Sequence, residues 1–502
     1  MRASHIASAL AAMLRLFSFS FLAPIVVAFV YEVRDFEILG VLVPENAIPF
    51  AIGFLALNGI VLPVKWATRS AEEEDMSERE GYLTAALGWL LMPLFGMVPF
   101  LVAGTFLSPL DAYFEAMSGV TTTGFTVLPV VDGVAPSILF WRAILQWVGG
   151  IGIVVISLAL ISRLTHGGAR LFAAEASVHA SKRLRPKLVD TARTLLALYG
   201  VLSAFVFVLL LAAMARIGLS PKEAVFESLV HMMSSLATGG FSSHGASAGY
   251  FDDVFVDVIL IVAMLIGATN FQVLMAFRRG EWRQGARDAE FRFWLACLAI
   301  AVAVVVAGLV LSGEALGFSL RHGIFATVSL FTATGLSTVD YSGWPLAVLF
   351  VLLLLMLMGS SSGSTAGAIK AFRIMLLAKL LQRQLQKLIH PRAVIPIRVG
   401  ARVVPEEAVS TASAFIFTYV LLWLAGAIGL SISEPNLDAL EVVAGSAASI
   451  GNVGNAFGAL GPLGDVSALA PATKAIMATL MWFGRLEIFT ALLLFAPSSW
   501  RN

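Results

Sequence analysis

The chain has 502 residues, of which 59% are hydrophobic and only 13% are charged, against roughly 25% charged in a soluble domain. Its mean hydropathy is +0.88 and apolar runs recur along its whole length, which excludes a globular protein with a single anchor and predicts a polytopic membrane protein. The net charge is +1, and the single cysteine, Cys297, excludes an internal disulfide or a cysteine metal site.

Two apolar runs open the chain, at 10–31 and 47–64. Arg2 before the first run is typical of a signal peptide. Arg15 interrupts that run, however, and no small-residue cleavage site follows it, so we predict a retained helix. With the charged linker 67–80, these two helices form an N-terminal region spanning 1–80.

From residue 82 onward one unit occurs four times: an apolar span, a short apolar segment, a turn rich in glycine and threonine, and a second span. The short segments hold about 10–13 residues, fewer than the ~20 that cross a bilayer, and this length is typical of re-entrant half-helices. The predicted spans are 82–105 and 137–160, 195–217 and 254–277, 293–311 and 345–380, and 409–430 and 473–494, with half-helices at 111–119, 224–236, 322–332 and 438–449. We place the unit boundaries at 81–165, 166–280, 281–390 and 391–502. This predicts an all-α membrane protein with four pseudo-symmetric units around one central pore.

The loops that join one unit to the next are basic. They are 163–193, 278–292 and 370–402. Because Lys and Arg mark the cytoplasmic side, we expect the four turns to open outward. The predicted outer side carries many carboxylates, which either concentrate cations at an acidic mouth or are ordinary solvated loop acids. They are Asp111, Glu115, Glu223, Glu227, Asp252, Asp253, Asp340, Glu434, Asp438 and Glu441.

The four turns are predicted to form a cation filter. A half-helix that ends in mid-membrane points its partly negative C-terminus at the centre, and the following backbone can present carbonyls to a cation. Glycine permits the backbone angles that such a ribbon needs, and none of the turns contains an acid that would trap K+. The predicted filter residues are Thr122, Thr123 and Gly124; Thr238, Gly239 and Gly240; Ala333, Thr334 and Gly335; and Asn452, Val453 and Gly454.

The span after the third turn is interrupted by glycine and serine, which unwind a helix within the membrane. Beneath a filter, this loop either plugs the pore or is a flexible kink. Arg485 in the last span must face protein or water, either as a barrier below the filter or in an ion pair with Glu487 or another unit. Lys370 either lines the inner vestibule or reaches the cytoplasmic surface. The predicted gate residues are Gly359, Ser360, Ser361, Ser362, Gly363, Ser364, Thr365, Gly367, Lys370 and Arg485.

Other polar and small residues in the spans are interpreted as packing residues. Gln146 and Asn270 are expected to form hydrogen bonds between helices, and Gly149, Gly150 and Gly152 to allow close helix contacts.

Over nearly its whole length the chain resembles the Trk/Ktr/HKT superfamily of potassium transporters, and within it the TrkH branch. The resemblance is carried by the four turns, by Gln-Trp-Val-Gly-Gly-Ile-Gly at 146–152, by Asp340-Tyr341 after the third turn, by Gly-Ser-Thr-Ala-Gly-Ala-Ile-Lys at 363–370, and by Gly-Arg-Leu-Glu-Ile-Phe-Thr at 484–490. It implies filter glycines at Gly124, Gly240, Gly335 and Gly454; Gly240 is chosen over Gly239 because it precedes Phe241 as Gly124 precedes Phe125.

The resemblance also implies K+ permeation, since glycine rather than serine occupies the first position, and a gating role for the 359–367 loop. It further implies a homodimer with two separate pores in the inner membrane and a cytosolic nucleotide-binding regulatory subunit of the TrkA type. The basic loops 163–193 and 379–402 are either docking surfaces for that subunit or ordinary positive-inside loops that touch anionic membrane lipid. The fourth turn departs most from the Thr-Gly pattern. No covalent cofactor, nucleic acid or covalent chemistry is expected, because no metalloprotease motif and no catalytic triad or dyad is evident. The alternative is K+ transport coupled to H+ or Na+, for which Glu115 is the candidate carboxylate.

Overall fold

The computed structural model describes residues 2–33, 36–38, 41–69, 77–163, 188–400 and 402–497. Residues 70–76 of the predicted linker 67–80 and residues 164–187 of the basic loop 163–193 therefore lie outside the described residues. Within them, six helices are long and apolar enough to cross a membrane, and two bent pairs bring the number to as many as eight. The expectation of an all-α polytopic protein is confirmed.

The described residues of the N-terminal region and of the first two predicted units form eleven α-helices. They are α1 (Ala3–Ser18), α2 (Leu22–Tyr31), α3 (Ala47–Ala67), α4 (Glu78–Gly96), α5 (Val98–Val102), α6 (Pro109–Val120), α7 (Pro136–Arg163), α8 (Leu188–Arg216), α9 (Pro221–Leu236), α10 (Val254–Ala268) and α11 (Phe271–Arg278). The first apolar run is one candidate span, Ala3–Tyr31, built from α1 and α2 with a single 3-10 turn between them.

The remaining helices belong to the last two units. They are α12 (Trp282–Ala286), α13 (Ala289–Leu311), α14 (Leu316–Phe331), α15 (Leu346–Met358), α16 (Ala371–Ile389), α17 (Glu406–Ser433), α18 (Ala439–Ile450), α19 (Pro471–Arg485) and α20 (Phe489–Leu492). Two small antiparallel hairpins pair Phe36–Ile38 with Val41–Val43 and Arg398–Val399 with Arg402–Val403.

Four helices are the predicted half-helices: α6 and α18 have 12 residues, and α9 and α14 have 16. At about 1.5 Å per residue they are too short to cross a hydrocarbon core of ~30 Å. Ser108 caps α6, and a capping box on Ser220 and Glu223 fixes the start of α9. Each half-helix after the first packs against the second span of the unit before it, since α9 contacts α7, α14 contacts α10, and α18 contacts α15. α6 packs against α19, so the order closes on itself.

Two spans predicted as continuous are broken, and those predictions are wrong. The 254–277 span bends by 107° between α10 and α11, where the Asn270 side chain caps the new helix by accepting from the Gln272 N–H. The 473–494 span bends by 112° between α19 and α20, where Glu487 and Ile488 have φ of 56° and 43°. Both breaks lie near the predicted loop between α15 and α16.

Candidate cation filter and gate

All four half-helices end in the same backbone motif. In the first turn, the Thr123 N–H donates to the Ser118 carbonyl (2.8 Å) and the Thr122 N–H donates to the Gly119 carbonyl (2.9 Å). This is a Schellman termination, in which the residue after the helix adopts a left-handed conformation. The same two bonds end the other three half-helices. The left-handed residues are Thr122, Thr238, Ala333 and Asn452, with φ between 51° and 54°.

A second positive φ follows two residues later in each turn. It is 98° at Gly124, 84° at Gly240, 83° at Gly335 and 84° at Gly454. This register agrees with the choice of Gly240 as the counterpart of the other three. Because such angles are strained for residues with a Cβ, these positions require glycine.

The four glycines also form a closed ring of contacts. A Cβ on Gly124 would lie 2.2 Å from the Gly239 carbonyl oxygen, and one on Gly240 would lie 2.1 Å from that of Thr334. A Cβ on Gly335 would lie 2.1 Å from the Val453 oxygen, and one on Gly454 would lie 2.0 Å from the Thr123 oxygen. Each turn therefore touches the next, and the fourth returns to the first.

The ring is rich in oxygen and carries no fixed negative charge. The half-helix C-termini converge on it, and the helix dipole makes these ends partly negative. Two filter side-chain oxygens, Thr122 Oγ1 and Asn452 Oδ1, are buried without a hydrogen-bond partner among the described residues. Buried polar atoms normally have a partner, so these two oxygens are suited to water, whereas the uncharged dipolar oxygens of the ring backbone are the groups suited to a cation.

Side chains behind the ring hold its backbone. Gln146 Nε2 donates to the Gly239 carbonyl (2.6 Å), Asn455 Nδ2 donates to that of Gly335, and Asn452 Nδ2 donates to Thr123 Oγ1 (3.0 Å). Gln146 was predicted to bond to another helix, but its partners are the backbone of the second turn. The sequence contained no signal for these partners, which lie 93, 120 and 329 residues away.

Most of the carboxylates predicted at an acidic mouth have partners. Glu115 is fully buried and forms an ion pair with Arg142, whose Nε lies 2.7 Å from Oε1. Lys474 Nζ lies 2.7 Å from Asp111, and Arg216 lies 2.5 Å from Asp253. The interpretation of an acidic mouth is therefore weaker than the sequence suggested, because local cations offset several of these charges.

One histidine joins two outer carboxylates. His244 Nδ1 lies 3.2 Å from Asp132 Oδ1, and its Nε2 lies 3.2 Å from Glu227 Oε1. The ring stacks on Tyr250, with 3.4 Å between centroids. Burial lowers the pKa of His244, but the two carboxylate partners outweigh it and raise the pKa above its usual 6.5. The bridge links the loop after the first turn to the half-helix α9.

The predicted gate loop packs against the residues of the turns that lie next to the half-helix ends. It contains Gly359, Ser360, Ser361, Ser362, Gly363, Ser364, Thr365 and Gly367. Thr365 Oγ1 lies 3.2 Å from Thr238 Oγ1 and 3.0 Å from the Gly267 carbonyl oxygen. A Cβ on Gly367 would lie 2.6 Å from the Gly451 carbonyl oxygen and 2.7 Å from Asn452 Oδ1. The loop thus packs beneath the second and fourth turns.

The neighbouring helices hold this loop in place. Ser361 N–H donates to the Ala268 carbonyl (3.3 Å), the Gly363 carbonyl accepts from the Phe271 N–H (3.2 Å), and Ser360 Oγ donates to the Phe331 carbonyl (3.3 Å). Ser364 Oγ donates within the loop to the Ser361 carbonyl. The break between α10 and α11 therefore supplies both a donor and an acceptor to the loop.

Arg485 connects the loop to the first unit. Its Nη1 donates to the Thr365 carbonyl (2.7 Å) and its Nη2 donates to the Gly149 carbonyl of α7 (3.2 Å), and the residue is 2% exposed. The alternative of an Arg485–Glu487 pair does not hold, because the described ion pair of Glu487 is with Arg373 at 2.9 Å.

Two further charged groups contact the loop. Lys370 is buried and its Nζ donates to the Ala366 carbonyl (2.8 Å), so it neither lines an open vestibule nor reaches the surface. Glu290, which no sequence motif marks, accepts from the Ser362 N–H (2.5 Å) and is 5% exposed. It lies in the first turn of α13, where an acidic residue is common because it stabilises the helix N-terminus. Its position in the sequence therefore gave no sign of a contact with the loop.

Comparisons with known proteins agree on one family. The family model for TrkH, described as a cation transport protein, matches residues 49–502. The Trk system potassium uptake protein TrkH of Halomonas elongata is 34% identical, covering 98% of both chains. Its counterpart in Salmonella typhimurium is 33% identical over 89% of this chain and 90% of that one. The crystal structure of the potassium transporter TrkH from Vibrio parahaemolyticus matches with a TM-score of 0.85 and 32% identity over both full chains.

Proposed function

This chain belongs to the TrkH family of cation transport proteins, and we propose that it takes up K+ across the cytoplasmic membrane through the ring of four turns. The family consists of transporters, so the chain is a membrane transporter rather than an enzyme. K+ is proposed as the cargo because the relatives are named potassium uptake proteins.

The proposal rests on the closed ring of contacts that the four turns make at Gly124, Gly240, Gly335 and Gly454. Four half-helix ends meet at this ring, and each glycine lies against a carbonyl of the next turn. Dipolar oxygens without a fixed charge favour a partly dehydrated K+ that must also leave the site. The turns face outward and the basic loops face the cytoplasm in this proposal.

The loop at 359–367 is proposed as the gate. It packs beneath the ring, and Arg485 ties it to α7 through Thr365 and Gly149. In this arrangement the loop blocks the inner side of the ring, and conduction requires it to move. We further propose that the chain works as a homodimer regulated by a cytosolic nucleotide-binding subunit of the TrkA type.

Coupled transport with H+ or Na+ is less well supported. It needs an intramembrane carboxylate that can change its charge. Glu115 is buried against Arg142 and also accepts hydrogen bonds from Thr126 and from the Val127 N–H, so its oxygens are engaged by the protein rather than presented to a moving ion. The proposal is therefore passive, gated conduction.

The test is uptake of K+, Rb+ and Na+ into liposomes that contain the purified chain, with and without an imposed H+ or Na+ gradient. We expect K+ and Rb+ to enter well ahead of Na+ without a gradient. Gly124→Ser is expected to reduce this preference, because the new Cβ would lie 2.2 Å from the Gly239 oxygen on a backbone with φ of 98°. Gly59→Ser is the matched control, since a Cβ there has no neighbour within 4 Å. Uptake that requires an imposed gradient would refute passive conduction.

A further inference from the structure

The second turn lacks a brace that the first and third turns have. Thr121 Oγ1 lies 2.8 Å from Thr123 Oγ1, and the same pair recurs in the third turn between Thr332 and Thr334 at 2.7 Å. Each pair lies within its own turn and flanks the left-handed residue. In the second turn the equivalent positions are Ala237 and Gly239, so no such pair can form.

Gln146 occupies the space beside Gly239, which stands where the first and third turns have a threonine. A Cβ on Gly239 would lie 2.3 Å from Gln146 Cδ and 2.5 Å from its Oε1. The Gln146 amide brackets Gly240: its Nε2 donates to the Gly239 carbonyl (2.6 Å) and its Oε1 accepts from the Phe241 N–H (3.2 Å). Gln146 is fully buried, so both bonds form away from water.

The same helix also holds the outer end of this turn. Arg142 lies one helical turn before Gln146 on α7 and donates to the Ser242 carbonyl (2.9 Å). The first unit therefore supports the second turn at two points. The Gly239 carbonyl that Gln146 holds is also the atom that faces Gly124, at 2.2 Å from its Cβ position. Its position sets the spacing between the first two turns.

We propose that Gln146 is a specificity-determining positioning residue, which fixes the Gly239 carbonyl and thereby the ion preference of the ring. This inference rests on the proposed function of the ring as a K+ filter. Gln146 does not contact the ion itself; it acts through the backbone of the second turn, in place of the missing threonine pair.

The test measures the K+/Na+ uptake ratio and the half-saturating K+ concentration in liposomes for the wild type, Gln146→Met and Ser203→Ala. Methionine keeps the length and bulk of glutamine and removes both hydrogen bonds. Ser203→Ala is the control, because it removes another bond made by α7, the 3.0 Å contact from Trp147 Nε1 to Ser203 Oγ, and leaves the ring untouched.

We expect Gln146→Met to lower the K+/Na+ ratio by about tenfold, equivalent to ~1.4 kcal/mol, while K+ uptake continues. Ser203→Ala should keep the wild-type ratio. A Gln146→Met protein that keeps the wild-type ratio would overturn the inference. So would a Ser203→Ala protein that loses the ratio equally, because the effect would then be one of helix packing.

Gln146→Asn decides the matter if the methionine variant does not fold. It keeps a neutral amide but is one methylene shorter, so it cannot span from the Gly239 carbonyl to the Phe241 N–H as Gln146 does. We expect a reduced ratio, and an unchanged ratio overturns the inference. A wild-type chain without K+ preference would instead refute the proposed function, so the two failures are distinguishable.

Discussion

Removal of the Arg485 guanidinium should open the gate. Arg485 is the side chain that joins the loop at Thr365 to α7 at Gly149, and its guanidinium carbon also lies 5.7 Å from the centre of the Trp89 ring. Arg485→Ala removes the donor to the loop and leaves the loop sequence intact. We therefore expect faster K+ entry with the ion preference of the filter preserved.

The size of the effect follows from the bond to Thr365. A hydrogen bond from a charged donor contributes about 1.5–3 kcal/mol. That bond exists only while the loop is in place, whereas the bond to Gly149 joins α19 to α7 and does not involve the loop. Loss of the bond to Thr365 shifts the equilibrium between the closed and the open loop towards the open state by about ten- to 150-fold. Uptake should rise by about tenfold or more, until the open fraction saturates.

The assay is the initial rate of Rb+ uptake into liposomes that contain Arg485→Ala, Arg485→Lys or the wild type, at matched protein content. Lysine keeps the positive charge but cannot reach both carbonyls with a rigid fork of donors. Faster uptake in both variants would indicate that the hydrogen bonds hold the loop. Faster uptake in the alanine variant alone would indicate a charge barrier. A folded Arg485→Ala protein with uptake at or below the wild-type rate refutes the reasoning.

Three further results are expected. Glu115→Ala should destabilise the protein by about 3–5 kcal/mol, because it leaves the buried Arg142 charge uncompensated; a denaturant midpoint equal to that of the wild type would contradict this. The raised pKa of His244 stabilises the folded state fully below about pH 6.5, and this contribution is lost as the pH rises through the raised value. The Tm of the wild type should therefore fall over that interval while the Tm of His244→Gln stays flat, and parallel curves would refute the assignment. Glu290→Ala should increase Rb+ uptake, because the Ser362 N–H loses its acceptor, and unchanged uptake would show that Glu290 does not hold the loop.

Local patterns in the sequence were sufficient to predict the half-helices and the loop at 359–367. A half-helix is specified by its length and by the glycine and threonine that follow it, and all of these residues are contiguous. The choice between Gly239 and Gly240 rested on the aromatic residue after Gly124, and the positive φ at Gly240 agrees with it. The interruption at 359–367 was visible because glycine and serine stand inside an apolar run.

The two further breaks had no comparable local signal. Only single polar residues flank the two breaks, Thr269 and Gln272 beside Asn270 and Arg485 and Thr490 near Glu487, and neither break contains proline or a run of glycine and serine. Each break is stabilised by contacts with distant residues. At the first break the Phe271 N–H donates to the Gly363 carbonyl, and at the second Glu487 forms an ion pair with Arg373, 114 residues away. A sequence pattern describes only near neighbours, so bends stabilised in this way are not evident from it.

The braces behind the ring explain how four unlike sequences can form one backbone geometry. The first and third turns use their own threonine pairs, and the second uses Gln146. The fourth has Gly451 and Val453 at the threonine positions, and its Asn452 and Asn455 form hydrogen bonds with the first and third turns. A departure from the Thr-Gly pattern therefore does not by itself predict a looser filter, because the lost contact within a turn is replaced by one between turns. The replacement makes the turns interdependent, and a change behind one turn should alter the position of its neighbour.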